Sequence, residues 1–192
     1  MLLAQIRPAI VSLVFFTILT GILYPLLVTG IAQAVFHKEA EGSLITSSNG
    51  KVLGSSLIGQ NFDDPKYFWG RISATSPAYN ASSSSGSNLG PSNPALLDEV
   101  KGRITALKAV DPNNNDPIPV DLVTSSGSGL DPHISLAAAN YQLIRVAHLR
   151  GLTTNTVKQI VDQNTQGRFL GILGEPVVNV LQVNIALDQY KK

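Results

Sequence analysis

Apolar and polar positions are distributed unevenly along the chain. From Pro8 to Phe36, 29 residues pass without one charged side chain. A bilayer core of about 30 Å is crossed by roughly 20 apolar residues in helical form, and this run as a helix would extend about 43 Å. The pattern predicts a retained membrane span. A cleaved secretory signal is the weaker reading: Ala32-Gln33-Ala34 has the small-x-small form of a cleavage site, but signal cores run only about 7 to 15 residues. The predicted division is a short cytoplasmic N-terminus over 1–7, a transmembrane helix over 8–36 and a soluble α+β domain over 37–192. Within the span Thr17, Gly21, Pro25 and Thr29 recur at a spacing of four, which predicts a stripe of small surface for packing against another helix. Pro25 removes one backbone bond, so a kink is expected there.

Beyond the span the periods change. Leu44 to Thr46 and Lys51 to Leu53 flank Asn49-Gly50, the cue for a hairpin, and Ser55 to Ile58 is a candidate continuation of that sheet. Asn61 to Gly70 gathers Phe62, Tyr67, Phe68 and Trp69, expected as a core cluster under a loop. Pro77 to Pro94 is rich in Ser, Gly, Asn and Pro, a turn-forming composition in a loop long enough to suggest function. A helix is predicted from the Asn93 cap and Pro94 to before Asp111-Pro112. A strand is predicted over Val120 to Thr124. A second helix is predicted from an Asp131 cap with Pro132 at its first position through Arg150 to Gly151, and a third over Thr154 to Gln163. After a loop at Gly167 to Gly174, the run from Glu175 to Tyr190 suits a helix, although its paired valines also suit a strand.

Composition then narrows the chemistry. With 14 basic and 13 acidic side chains the net charge is +1, which gives no electrostatic footprint for nucleic acid. Cysteine is absent, which excludes disulfides and thiolate metal sites. Arg7 and the terminal amine ahead of the span, against His37 and Lys38 with Glu39 and Glu41 after it, lean slightly toward a cytoplasmic N-terminus and an extracytoplasmic domain. Gly54 to Gly59 has the glycine spacing of a phosphate loop, but Gln60 and Asn61 stand where lysine and a hydroxyl would grip phosphate and magnesium. Ser128, His133 and Asp131 invite a hydrolase reading, although the glycine of a nucleophile elbow is missing. His37, His133 and His148 lack metal-ligand spacing. The helices around Arg150-Gly151-Leu152 suit an αα-hairpin better than a DNA-binding motif.

Five runs are distinctive in combination: YFWGRISAT at 67–75, SGSNLGPSNP at 85–94, DLVTSSGSGLDPHIS at 121–135, RVAHLRG at 145–151 and LGEPVVNVLQVNIALD at 173–188. Together with the single N-terminal span they resemble the C subunit of the Kdp-type potassium-transporting ATPase, over nearly the whole chain. Ile72 stands where that family usually has proline. The resemblance implies an accessory subunit of a bacterial inner-membrane potassium importer, with no active site, cofactor or metal of its own. ATP and potassium would be handled by the complex. The implied partners are a potassium-conducting subunit, an ATP-hydrolysing pump subunit and a small membrane peptide. The implied roles are assembly and a catalytic-chaperone effect on the pump subunit's ATP affinity. The expected contact residues are Thr17, Gly21, Pro25 and Thr29 in the membrane, and Ser85, Gly86, Asn88, Gly90, Ser125, Gly127 and Gly129 in two loops of the domain. The competing expectation is an anchored periplasmic hydrolase using Ser128 and His133.

Overall fold

The computed structural model describes residues 2–190, and the chain divides into two units, Met1–Leu44 and Ile45–Lys192. The first is built on one long apolar helix: α1 (Leu2–Ile18), a π-helical turn (Leu19–Leu23) and α2 (Tyr24–Val35), followed by a short α3 (His37–Ala40). Its stretch Gln5–Val35, 31 residues, is long and apolar enough to cross a membrane. Pro25 cannot supply the N–H that would bond the Gly21 carbonyl. The chain widens just ahead of it, where the Tyr24 amide donates to Leu19 O, five residues back. This π turn is the form in which the irregularity expected at Pro25 occurs. It also bears on the small-residue stripe. At 3.6 residues per turn a spacing of four drifts about 40° per step, and a wider turn rotates less per residue, which draws Thr17, Gly21, Pro25 and Thr29 nearer to one line.

The second unit is mixed α and β, as its changing periods imply. β1 (Leu44–Thr46) and β2 (Val52–Ser55) form the predicted hairpin, closed where the Ser47 amide donates to Lys51 O at 2.8 Å and Gly50 takes φ +78°. The sheet does not continue through Ile58: the Ser55 hydroxyl and carbonyl accept from the Leu57 and Ile58 amides and turn the chain. α4 (Pro94–Val110) starts on Asn93, whose side chain accepts from the Ala95 amide, and stops at Asp111.

The predicted strand at 120–124 is instead a helical turn, α5 (Val120–Val123). Val120 faces out while Leu122 and Val123 are buried, and the Thr124 hydroxyl reaches back to Val120 O at 2.8 Å, a local bond that favours the helix. Asp131 is likewise not a helix cap. It accepts from the His133 amide at 2.9 Å, and β3 (His133–Ser135) intervenes before α6 (Leu136–Arg150), which Ser135 caps through the Ala138 amide. Gly151, at φ +61°, ends α6 as expected, and α7 (Thr154–Gln163) follows on the Thr153 cap and packs against it. Both alternatives held for the last run apply in turn: β5 (Val177–Asn179) passes directly into α8 (Val180–Gln189), with Asn179 as cap. β5 lies central in an antiparallel sheet, between β3, in register Ile134↔Val178, and β4 (Thr165–Gln166). The core gathers Leu107, Leu122, Ile134, Val146, Val157, Val161, Val178 and Val183 from these elements around Phe68.

Candidate interaction surfaces

The aromatic segment opens in a turn, where the Tyr67 amide donates to Asp64 O, and from residue 68 to residue 70 it belongs to no strand among the described residues; side chains take the place of a neighbouring strand. Seven successive carbonyls, from residue 65 to residue 71, each accept from a side chain. Arg145 donates to Pro65 O and to Tyr67 O, and Arg150 Nε to Lys66 O. Asn184 bonds Phe68 through both its N–H and C=O at 2.9 Å, and Gln142 does the same for Trp69 at 2.8 and 3.1 Å. Arg103 donates to Gly70 O and the Tyr79 hydroxyl to Arg71 O. The guanidinium carbons of Arg103 and Arg145 lie 4.9 and 5.3 Å from the Trp69 ring centre. Burial pushes the Tyr79 hydroxyl up to about 12 and so keeps it a donor, and it draws the Arg103 pKa down.

This held segment delivers Arg71, Ser73 and Thr75 to the base of the two serine- and glycine-rich loops. Arg71 donates to Ser125 O and pairs with Asp131 at 3.3 Å. Burial raises the Asp131 pKa, but the hydrogen bonds from His133 and the Arg71 charge outweigh it and hold the carboxyl below its usual range. Ser73 donates to Gly129 O at 2.6 Å and accepts from the Tyr79 amide. The Ser85 amide and Ser84 hydroxyl both donate to Ser128 O. A Cβ on Gly86 would stand 2.9 Å from Gly127 O, and one on Gly129, at φ +69°, would stand 2.8 Å from the Thr75 methyl.

The structure therefore joins Ser85 and Gly86 to Ser125 and Gly127 as one surface, with Gly129 buried beneath it. Asn88, at φ +54°, and Gly90, with open space around it, lie farther along the first loop. The four membrane-helix positions are exposed, and a Cβ on Gly21 would meet no atom within 4 Å. The adjacent pocket, about 330 Å³, is lined by Arg71, Tyr79, Asp98, Glu99 and Arg103.

The hydrolase geometry is not formed. Ser128 Oγ accepts from the Leu130 amide, His133 Nδ1 lies 3.4 Å from Asp131, and His133 Nε2 has no hydrogen-bond partner among the described residues. The glycine spacing at 54–59 has a packing origin: a Cβ on Gly54 would press on Leu181 at 2.8 Å, and the Gly59 amide bonds Leu130 O. Among the described residues no group of three or more His, Asp or Glu is placed to hold a metal ion.

The family description "K+-transporting ATPase, c chain" matches residues 6–189. The chain belongs to this family. Relatives named potassium-transporting ATPase KdpC subunit are 63% identical in Herpetosiphon aurantiacus, over 96% of each chain, and 62% identical in Paraburkholderia xenovorans, over 97% of each. That of Dechloromonas aromatica is 63% identical over 97% of this chain and 98% of its own. The family match takes in the long helix, the clamped segment and both loops, so all belong to what these relatives share in length. Missed by the sequence reading were the clamp itself and an exposed apolar hairpin at 169–173. The only signal for the hairpin was an apolar run inside a stretch otherwise punctuated as loop.

Proposed function

We propose that the chain is an accessory, non-conducting subunit of a high-affinity, ATP-driven potassium importer in the bacterial inner membrane. One helix anchors it, and the α+β unit lies outside the cytoplasm. Its partners are the potassium-conducting subunit, the ATP-hydrolysing pump subunit and a small membrane peptide. It serves their assembly, and it raises the pump subunit's ATP affinity without an active site of its own. The observation that carries this reading is identity near 60% along almost the full length to named subunits of such a transporter. The helix and the joined loop surface support it, because both offer packing surface. Co-expression with the other subunits tests it. Affinity capture of this chain should recover them, and a strain lacking it should fail to grow at micromolar potassium. Normal growth of that strain, with no subunit recovered, would refute the reading.

A further inference from the structure

Residues 168–175 form a finger of unusual chemistry. Phe169 and Leu173 are joined by hydrogen bonds in both directions, and the Gly171 amide closes the turn onto Arg168 O. Phe169, Leu170, Ile172 and Leu173 are 69, 76, 74 and 56% exposed. Together they present on the order of 500 Å² of apolar surface, as much as the largest patch of a typical monomer, and such patches mark binding sites. Of the other exposed apolar side chains of the second unit, Leu57, Leu97 and Val120 come from separate stretches of the chain, and Ile144 and Leu149 share the wall of one pocket. Leu170 also takes φ +52°, a conformation costly for a leucine and readily supplied by Gly, Asn or Asp. Keeping leucine there, in the open, serves neither the turn nor the core.

We infer that this finger is a knob that inserts into an apolar pocket on the extramembrane surface of another subunit of the same transporter. The inference rests on the proposed membership of a multi-subunit complex and adds a contact site separate from the two loops. A protein pocket suits the finger better than lipid. Glu175 binds Arg168 through both carboxylate oxygens at 2.8 Å, so the base is electrically neutral. Residues 164–176 contain no Lys, Trp or Tyr, and their one basic side chain, Arg168, is held by Glu175, so no free cation is left for the lipid headgroups that interfacial elements use. Among the described residues the carbonyls of Leu170, Gly171 and Ile172 accept no hydrogen bond; hydrocarbon would leave them unpaired, whereas a protein pocket brings donors. The patch supplies about 500 Å² on one side, short of the roughly 800 Å² per partner of a standard interface, so it acts as an anchor within a larger contact and not as a complete interface by itself.

The chain has no cysteine, so Leu170→Cys can carry a photoreactive maleimide as its sole label. In the assembled, membrane-embedded transporter it should cross-link to another subunit. Leu170→Asp should lower recovery of the other subunits about tenfold or more, the effect of losing a central anchor, while Leu170→Met leaves recovery unchanged. Aspartate accepts the left-handed backbone, so the thermal midpoint of the chain alone should hold. Adducts to lipid only, or wild-type recovery with Leu170→Asp, would overturn the inference. Failure of the wild-type chain to recover any subunit would instead sink the proposed function.

Discussion

Arg145 is 5% exposed and bonds no carboxylate among the described residues; the carbonyls of Pro65 and Tyr67, the Gln142 amide oxygen and the Trp69 face surround it. Burial lowers its pKa to about 10, so it stays charged at neutral pH, stabilised by oriented dipoles where a counter-charge would be usual. Gln142 completes this arrangement, which makes it the sharpest single test of the clamp. Gln142→Leu keeps approximate size but strands the N–H and C=O of Trp69, at about 1–3 kcal/mol for each buried group. The thermal midpoint of the purified chain, followed by circular dichroism, should fall by about 5–15 °C, and Asn184→Leu should behave alike. Exposed Gln163→Leu serves as control; a shift no larger than the control's would mean the segment is held by its aromatics alone. Asp131 makes a different prediction. Its folded pKa is depressed, so its stabilisation is present above the unfolded value of about 3.9 and is lost as pH falls through the folded one. Asp131→Asn should therefore cost about 1–2 kcal/mol in denaturant titrations at neutral pH, and this deficit should shrink toward about pH 3. A deficit that is the same at both pH values would remove the carboxylate's charge from the explanation.

Among the elements, the π turn ahead of Pro25 sets the small-residue stripe, and Gly21 lies inside it. Because a Cβ there meets nothing within 4 Å, Gly21→Leu alters the outer surface without disturbing this chain's own packing. Helix association in lipid depends on close approach across small residues. Gly21→Leu should thus reduce recovery of the potassium-conducting or ATP-hydrolysing subunit after detergent extraction, and Ile22→Leu should not. Equal recovery would make the span only an anchor. Which elements were legible follows from how local their causes are. α4 and α7 were readable from Asn93-Pro94 and from an apolar period that a ten-residue helix can display. β3, β4 and β5 hold two or three residues each, too few for alternation to register, and Asp131-Pro132 gives the same signal for a turn as for a cap. Both serine-glycine loops stood out by composition. Their union did not, because it depends on contacts such as Ser85 with Ser128, far apart in sequence. The clamp was hidden for the same reason: Gln142 and Asn184 look like ordinary polar helix residues until Phe68 and Trp69 are laid beside them.

For the whole molecule, the decisive quantity is the side of the membrane on which the second unit lies. Only nine residues, 36–44, separate the end of α2 from Ile45. The proposed subunit role favours the outer surface, while Arg7 ahead of the span is balanced by Lys38 after it. That placement constrains mechanism. On that placement the unit could not touch nucleotide inside the cytoplasm, and an effect on a pump subunit's ATP affinity would have to cross the membrane through protein contacts, for which the Gly21 variants are one test. Because the chain has no cysteine, single substitutions report topology cleanly. Ser84 and Asn115 are exposed in the second unit, and Gln5 precedes Arg7. In intact spheroplasts an impermeant maleimide should label Ser84→Cys and Asn115→Cys fully and Gln5→Cys only after permeabilisation. The reverse pattern would put the unit in the cytoplasm, where direct contact with the nucleotide-binding machinery becomes possible and no signal has to cross the membrane.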